Sequence, residues 1–455
     1  MRKNILPIPA IAGLLLIIFF ISAWFIQVMN SGAPAGRLHI SDPALSSGIH
    51  VYRAGEFEIQ LTATGQEHPG GYQGPRLVVV HQAAPGKWLW YTRRGEAFVS
   101  AAKGRERVVE TRGSYKMTDR LSSRCAEQTI ESILEKDQQV IISGTLSCKP
   151  GSSTQYSLVF SQAAGRRLSF SLSFSDPSVN RSYLTFASDP DEHIFGFGEQ
   201  FSYFDHKGQR VPIWVSEQGI GRGLQPLTFL VDLAAGAGGN AYTTYAAVPH
   251  YITSRQRSLF LENSAYSVFD LRQPDRVQIL VFSPVMKGQI LYGANPEELI
   301  ETYTSWAGRM RQLPDWILNG AIVGMQGGTE KVLQVYHKLK NKGTPMAAFW
   351  LQDWVGQRTT SFGKQLWWNW ELDQNRYPGW DDLRNTLADG GVRIMVYASP
   401  FLADVSAKAG VERNLFQEAL SAGFLVRNAD GQPDLIQNTD FSAGLVDLSN
   451  PDARE

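Results

Sequence analysis

After Leu313 and Pro314 the chain changes its grammar, and this change constrains the fold more than any other feature. NGAIVGMQGG, KVLQVYHKLKNKG, MAAFWLQDW, WDDLRNTLADGG and VRIMVYASPF read in turn as strand, helix, strand, helix and strand. Apolar runs alternating with helices that end in Gly predict a parallel sheet with crossover helices. Such a unit fits a doubly wound sheet or a (β/α)8 barrel. Gln326, Gln352, Asp353 and Tyr397 stand at the strand ends, where a barrel keeps its chemistry, and they favour the barrel. FQEALSAG predicts a further helix, and SNPDA another, capped by Asn450 with Pro451 at its first position. Only about 145 residues follow Gln312, whereas a complete barrel takes ~250. The expectation is therefore an incomplete barrel that would continue past Glu455.

Between Ala35 and about Gln312 the pattern is different. GIHVYRAGEFEIQLTA, RLVVVHQ, KWLWYTRRG, QVIISGTLS, YSLVFSQ, RLSFSLSFS, RSLFLEN, YSVFDL and RVQILVFS are short strand-like runs separated by turn residues. Many strands at short intervals predict a large antiparallel β-sandwich. Helical periodicity enters only at NPEELIETYTSWAGRM, with Pro296 in the first turn and Glu297 and Glu298 suited to the helix amino terminus. The expected organisation is an anchor or signal over residues 1–30, a β-sandwich domain over 31–312 and the first part of a catalytic barrel over 313–455.

Leu6 to Met29 is an uncharged, mainly apolar run long enough to cross a bilayer as a single transmembrane helix. Arg2 and Lys3 precede it and the next charge is Arg37, so the positive-inside rule keeps the amino terminus cytoplasmic. The remainder would then be extracytoplasmic, on the periplasmic side and anchored in the inner membrane. A cleaved signal peptide is the competing reading, since SGAPAG after the run offers small residues to a peptidase. Against it, the apolar stretch exceeds the ~7 to 15 residues of a signal's apolar region.

Lys plus Arg equals Asp plus Glu at 43 each, without long runs of one sign, which gives no support to a nucleic-acid or polyanionic partner. The chain has two cysteines, Cys125 and Cys148, around a segment that alternates like a strand in its second half. They either close a hairpin-like loop in an oxidising compartment or remain two buried thiols. His206 and His250 lack the neighbouring Cys or carboxylate spacing of a metal site. No metal or other cofactor is expected.

FWLQDWVGQRTTSFGKQLWWNW, from Phe349 to Trp370, concentrates five Trp, three Gln and an Asp at the end of one apolar run. Clustered aromatics are often core. Here, however, Gln352 and Asp353 follow MAAFWL at the point where a buried strand would emerge, and burying them without partners would be costly. Indole faces beside amides and a carboxylate point to the stacking and orienting of a sugar ring.

FGFGEQFSYFDHKGQRVPIWVSEQGIGRG (195 to 223), YAAVPHYITSRQRSLFLENS (245 to 264), LYGANPEELIETYTSWAGR (291 to 309), LPDWILNGAIVGMQGG (313 to 328), the segment from Phe349 to Pro378, GVRIMVYASPF (391 to 401) and GLVDLSNPDA (444 to 453) together resemble glycoside hydrolase family 31. These are retaining α-glycosidases, and the resemblance lies with their sulfoquinovosidase-like bacterial branch. It implies a β-sandwich ahead of a (β/α)8 barrel and two catalytic Asp, with no cofactor. Retaining chemistry places such carboxyl groups ~5 Å apart across the glycosidic bond. In that branch the nucleophile lies beyond the helix begun by SNPDA. The expectation is that both catalytic carboxylates fall outside these 455 residues, leaving the chain inactive alone.

The same resemblance implies substrate-binding roles. Glu199 of FGEQ matches a residue reaching towards the active site, with a structural carboxylate as the alternative. Asp353 matches a sugar-hydroxyl contact, with helix capping as its alternative. The branch recognises a sulfonate with a Gln, an Arg thirteen residues later and a Trp three further on. Here those positions are Gln352, Gln365 and Trp368. Gln365 replaces a charged fork with a neutral amide, which makes neutral glucosides or xylosides an alternative to sulfosugars. Lys364 and Arg358 are near enough in sequence to supply the charge. Trp367 and Trp370 are expected to pack. A non-catalytic, membrane-tethered sugar-binding fragment is the reading from outside the enzymes.

Overall fold

The computed structural model describes residues 36–63, 74–111, 114–149, 151–217, 219–223, 225–361, 363–438 and 440–455. The apolar run Leu6 to Met29, and with it the anchor, lies outside the described residues. Among the described residues no helix is long and apolar enough to cross a membrane. The chain divides into two compact units, one of residues up to 109 together with 115–309, the other of 110–114 and 310–455.

In the first unit fourteen strands join one sheet. Its path runs through Ile194–Gly198, Ala247–Thr253, Ser258–Leu261, Met286–Leu291, Arg167–Phe174, Ser152–Gln162, Gln139–Lys149, Ser114–Lys136, Val99–Thr111, Arg181–Ala187, Arg276–Val281, Ser267–Asp270 and Arg210–Ile213. Leu38–Ile40 pairs in parallel beside Ser114–Lys136. Although Ile194–Gly198 and Ser267–Asp270 stand near opposite ends of that path, the rings of Phe197 and Phe269 are 5.0 Å apart. The sheet therefore curls back on itself. A four-stranded sheet, Ile49–Ala54, Phe57–Thr62, Arg76–His81 and Trp90–Tyr91, adds to the layers.

Alternation in sequence drives this packing. In Gln139–Lys149, Val140, Ile142 and Leu146 are buried while their neighbours are not, and they join Ile59, Leu61, Phe160 and Phe269 in one continuous core. Cys125 and Cys148 face each other in register on adjacent strands and form a disulfide. The helix Pro296–Ala307 opens with Asn295, whose side chain accepts from the backbone N of Glu298 at 2.9 Å.

The second unit holds a parallel sheet of β1 (Ala321–Met325), β2 (Met346–Leu351) and β5 (Arg393–Val396), in the order β1, β2, β5. Helix α1 (Gly328–Asn341) links β1 to β2, and α2 (Trp380–Asp389) leads into β5. Val332 and Tyr336 of α1 and Leu383 and Leu387 of α2 pack with Phe349 and Leu351 of β2 in a shared core. Gly328 has φ +83°, and a Cβ there would lie 2.4 Å from the carbonyl oxygen of Arg376, so only glycine fits the start of α1. Between β2 and α2 the chain forms a hairpin, β3 (Gln357–Thr360) and β4 (Gly363–Leu366). After β5, the strand β6 (Phe401–Ala403), helix α3 (Leu415–Ala422) and strands β7 (Leu435–Asn438) and β8 (Phe441–Leu445) build a small antiparallel sheet ordered β6, β8, β7. Asn450 and Pro451 begin the short helix Pro451–Arg454, Asn450 accepting from the backbone N of Asp452.

Candidate active site

A pocket of about 260 Å³ opens at the carboxy-terminal ends of β1 and β2. Gln326 follows β1 and Gln352 follows β2, so the parallel sheet itself sets their spacing. The hairpin supplies Gln357, Lys364, Gln365 and Leu366; Trp368 follows it and Asn438 closes the rim from β7. Gln352, Gln365 and Trp368 are thus brought together.

Three of these amides are linked in one direction. Gln357 Nε2 donates to Gln326 Oε1 at 2.8 Å, and Gln326 Nε2 donates to Gln352 Oε1 at 2.6 Å. The acceptor end of Gln352 is thereby occupied, and its Nε2 remains to offer hydrogens to a ligand. Trp368 is held by an edge-to-face contact with Phe441 at 5.2 Å and lies 5.8 Å from the ring of Phe401. Lys364 is exposed, lines the pocket and has no ion pair within the described residues. Gln326 and Gln357 were not among the site residues expected from sequence. The available signal was that Gln326 stands at a strand end as Gln352 does.

The structure places Asp353 among protein donors, away from the lining of this pocket. It is 0 % exposed and is not among the residues lining the pocket. Its Oδ2 accepts from Arg376 Nε at 2.8 Å, Arg376 Nη2 at 2.7 Å and the backbone N of Gly327 at 2.9 Å, while Tyr377 donates its hydroxyl to Oδ1. With both oxygens engaged by protein donors, the carboxylate ties the end of β2 to the start of α1 and the approach to α2, closer to the capping alternative. Burial first, and then the neighbouring carboxylate, push the Tyr377 phenol well above its ordinary value.

Glu199 belongs to the first unit. Its carbonyl accepts from Thr244 Oγ1 at 2.6 Å, its backbone N donates to the carbonyl of Ala246 at 2.8 Å, and the residue is exposed. Trp370 anchors its indole N to the carbonyl of Phe401 at 2.9 Å, and Trp367 packs against Arg358. A larger hollow of about 540 Å³, lined in part by Trp354, Trp370, Glu371 and Lys408, shares no residue with the first. Among the described residues no group of three or more His, Cys, Asp or Glu is arranged to hold a metal.

The profile described as glycosyl hydrolase 31 N-terminal galactose mutarotase-like domain matches residues 51–270, and that of the glycosyl hydrolases family 31 TIM-barrel domain matches residues 311–455. The chain belongs to glycoside hydrolase family 31. Its three-stranded parallel unit therefore lies in a region matching the family's barrel domain. A sulfoquinovosidase of Agrobacterium fabrum is 35% identical over 386 residues, covering 84% of this chain and 53% of that protein. A sulfoquinovosidase of Escherichia coli K12 is 35% identical over 288 residues, covering 63% and 41%. Among solved structures, a family 31 sulfoquinovosidase from E. rectale in complex with the aza-sugar inhibitor IFGSQ gives a TM-score of 0.71 at 26% identity, covering 89% of this chain and 55% of that one. The chain spans about half the length of these family 31 relatives.

Proposed function

We propose that this protein recognises α-linked sulfosugars, as part of a retaining α-glycosidase of the sulfoquinovosidase type. The observation that carries the reading is the directed chain of amides ending in Gln352. It offers donors beside the exposed ammonium of Lys364, and a sulfonate is an acceptor-only, negatively charged group. The sulfoquinovosidase relatives support the same substrate class.

None of the eight residues lining the pocket is a carboxylate, and retention needs two of them ~5 Å apart. These side chains can bind and orient a sugar but cannot supply a nucleophile and a proton donor. The 455-residue chain should therefore bind sugar without turnover of aryl α-glycosides. Calorimetry of this chain with sulfoquinovose, glucose and xylose tests the reading, and preferential binding of sulfoquinovose is the expected result. Equal binding of all three would favour the neutral-sugar reading, for which the uncharged Gln365 in the pocket is the specific support. Tethering through Leu6 to Met29, with the rest extracytoplasmic, belongs to the same proposal. A cytoplasm-only reporter fused after Leu38 that proved active would overturn it.

A further inference from the structure

Trp370 has a backbone φ of +35°, in the left-handed region that a side chain as large as an indole rarely adopts. It stands in the irregular stretch between β4 and α2, and such a conformation persists only where the surroundings fix it. Here they do. The indole N donates to the carbonyl of Phe401 at 2.9 Å, and the ring meets that of Tyr397 edge-on at 5.4 Å. The neighbouring Asn369 is almost wholly buried; it accepts from the backbone N of Leu415 at 2.9 Å and donates to the carbonyl of Arg413 at 2.9 Å. The segment is thereby locked to the start of α3.

Trp370 lines the hollow of about 540 Å³ that shares no residue with the amide pocket. Within that lining, Trp370 packs on the core of the small antiparallel sheet and Trp354 on the core of the parallel sheet, so the hollow lies where the two adjoin. Seams of this kind hold small-molecule sites of roughly 300 to 1,000 Å³. Both indoles have their one N–H committed to a backbone carbonyl, that of Trp354 to Tyr397 at 2.6 Å. What they present to the hollow is therefore carbon surface.

Polar groups with capacity left stand around them. Glu371 receives Asn369 Nδ2 at 3.4 Å and the backbone N of Arg413 at 3.2 Å on Oε2, while Oε1 takes no hydrogen bond from the described residues. Gln374, Asn375 and Glu412 are exposed at the same lining. The ammonium of Lys408 is held by Asp373 at 3.1 Å and by the carbonyl of Val355 at 3.0 Å. Among the lining residues, two carboxylates thus stand against one ammonium that is already paired.

Indole carbon surface beside carboxylate and amide acceptors suits a ring with apolar C–H faces and hydroxyl donors, and the surplus negative charge turns away a sulfonate. We propose that this hollow is a second carbohydrate subsite, separate from the amide pocket, and that it takes an uncharged sugar ring. The C–H face of the ring lies against Trp354 and Trp370, and its hydroxyls donate to Glu371 Oε1 and to the amides of Gln374 and Asn375. The assignment does not depend on what the amide pocket binds.

The test is NMR of the 455-residue protein carrying isotopically labelled tryptophan, titrated with glucose and with maltotriose. Trp354→Phe, Trp368→Phe and Trp370→Phe assign the three indole N–H signals. Those of Trp354 and Trp370 are expected to move together and saturably, with both sugars alike if a free sugar is the ligand and at lower concentration with maltotriose if the ligand is a unit of a longer glycan. Glu371→Gln, which keeps an acceptor for Asn369 and Arg413, should weaken binding roughly fivefold. Trp370→Gly, which suits the positive φ and removes the ring, should weaken it by roughly tenfold or more, followed at Trp354. Signals unmoved by either sugar overturn the proposal. Movement confined to Trp368, which places the sugar in the amide pocket, overturns it too, as does an affinity unchanged in Glu371→Gln. Should Trp370→Gly not fold, the wild-type protein and Glu371→Gln decide.

Discussion

Arg376 grips one oxygen of Asp353 with both Nε and Nη2, at 2.8 and 2.7 Å, and the carboxylate it holds is sealed from solvent. Removing one member of such a pair strands the other. Asp353→Asn should therefore destabilise the second unit by about 2 to 4 kcal/mol, towards the lower part of the range for buried pairs because Arg376 keeps 32 % side-chain exposure. Urea unfolding followed by tryptophan fluorescence measures this. A variant as stable as wild type but unable to bind sugar would return Asp353 to the role of a direct contact.

The amide chain makes a directional prediction at Gln326. Gln326→Leu removes the middle link and should weaken sulfosugar binding roughly five- to tenfold, the worth of about one hydrogen bond. Gln326→Glu should be worse. A carboxylate only accepts, so it would draw the Nε2 of Gln352 towards itself and add a negative charge to the rim. Calorimetry that ranks Gln326→Glu above Gln326→Leu would contradict the direction assigned to the chain.

The disulfide between Cys125 and Cys148 joins strands already paired, so its loss should loosen the sheet without changing its topology. Cys125→Ala together with Cys148→Ala is expected to lower stability by about 2 to 3 kcal/mol. In wild type both thiols should resist alkylation until a reductant is added, as mass spectrometry after iodoacetamide treatment would show.

Acid should weaken the first unit through buried imidazoles. Burial holds His250, which stacks on Tyr303 at 3.9 Å, at about 4 against its ordinary 6.5. Between these values the unfolded chain binds a proton that the folded chain refuses, so stability rises with pH across this window and is lost as pH falls through it. The contribution is about 1 to 2 kcal/mol, because the residue is only partly covered. His81 and His206 are lowered in the same direction, chiefly by burial. The melting temperature of His250→Asn, compared with wild type at pH 5 and pH 7, should show a flatter dependence.

The parallel unit was legible because its signals are local. Apolar periodicity marked β1, β2, β5, α1 and α2, and the Asn450–Pro451 pair marked the start of the last helix. The curl of the fourteen-stranded sheet was not legible, since the contact of Phe197 with Phe269 spans 72 residues and leaves no periodic trace. The hairpin of β3 and β4 lay hidden in QRTTSFGKQL, a stretch too short and too polar to alternate. At the site, the expense of burying Asp353 was foreseen, whereas its partners Arg376 and Tyr377, more than twenty residues away, were not. Gln352 was marked by its place at a strand end, whereas Gln365 and Trp368 were named only through the family resemblance; the three line one pocket. Gln326 and Gln357 gain their importance only when the sheet and the hairpin converge.

An amide has two unlike ends, and three amides in series share a single polarity. A guest that brought donors to Gln352 in place of acceptors could be accommodated only by turning Gln352, Gln326 and Gln357 over together, since any one reversed alone would set like against like. Each residue thus votes with its neighbours. Discrimination at this rim should then behave as a collective threshold, with intermediate ligands either admitted in the standing orientation or refused, and not as a graded sum of independent contacts.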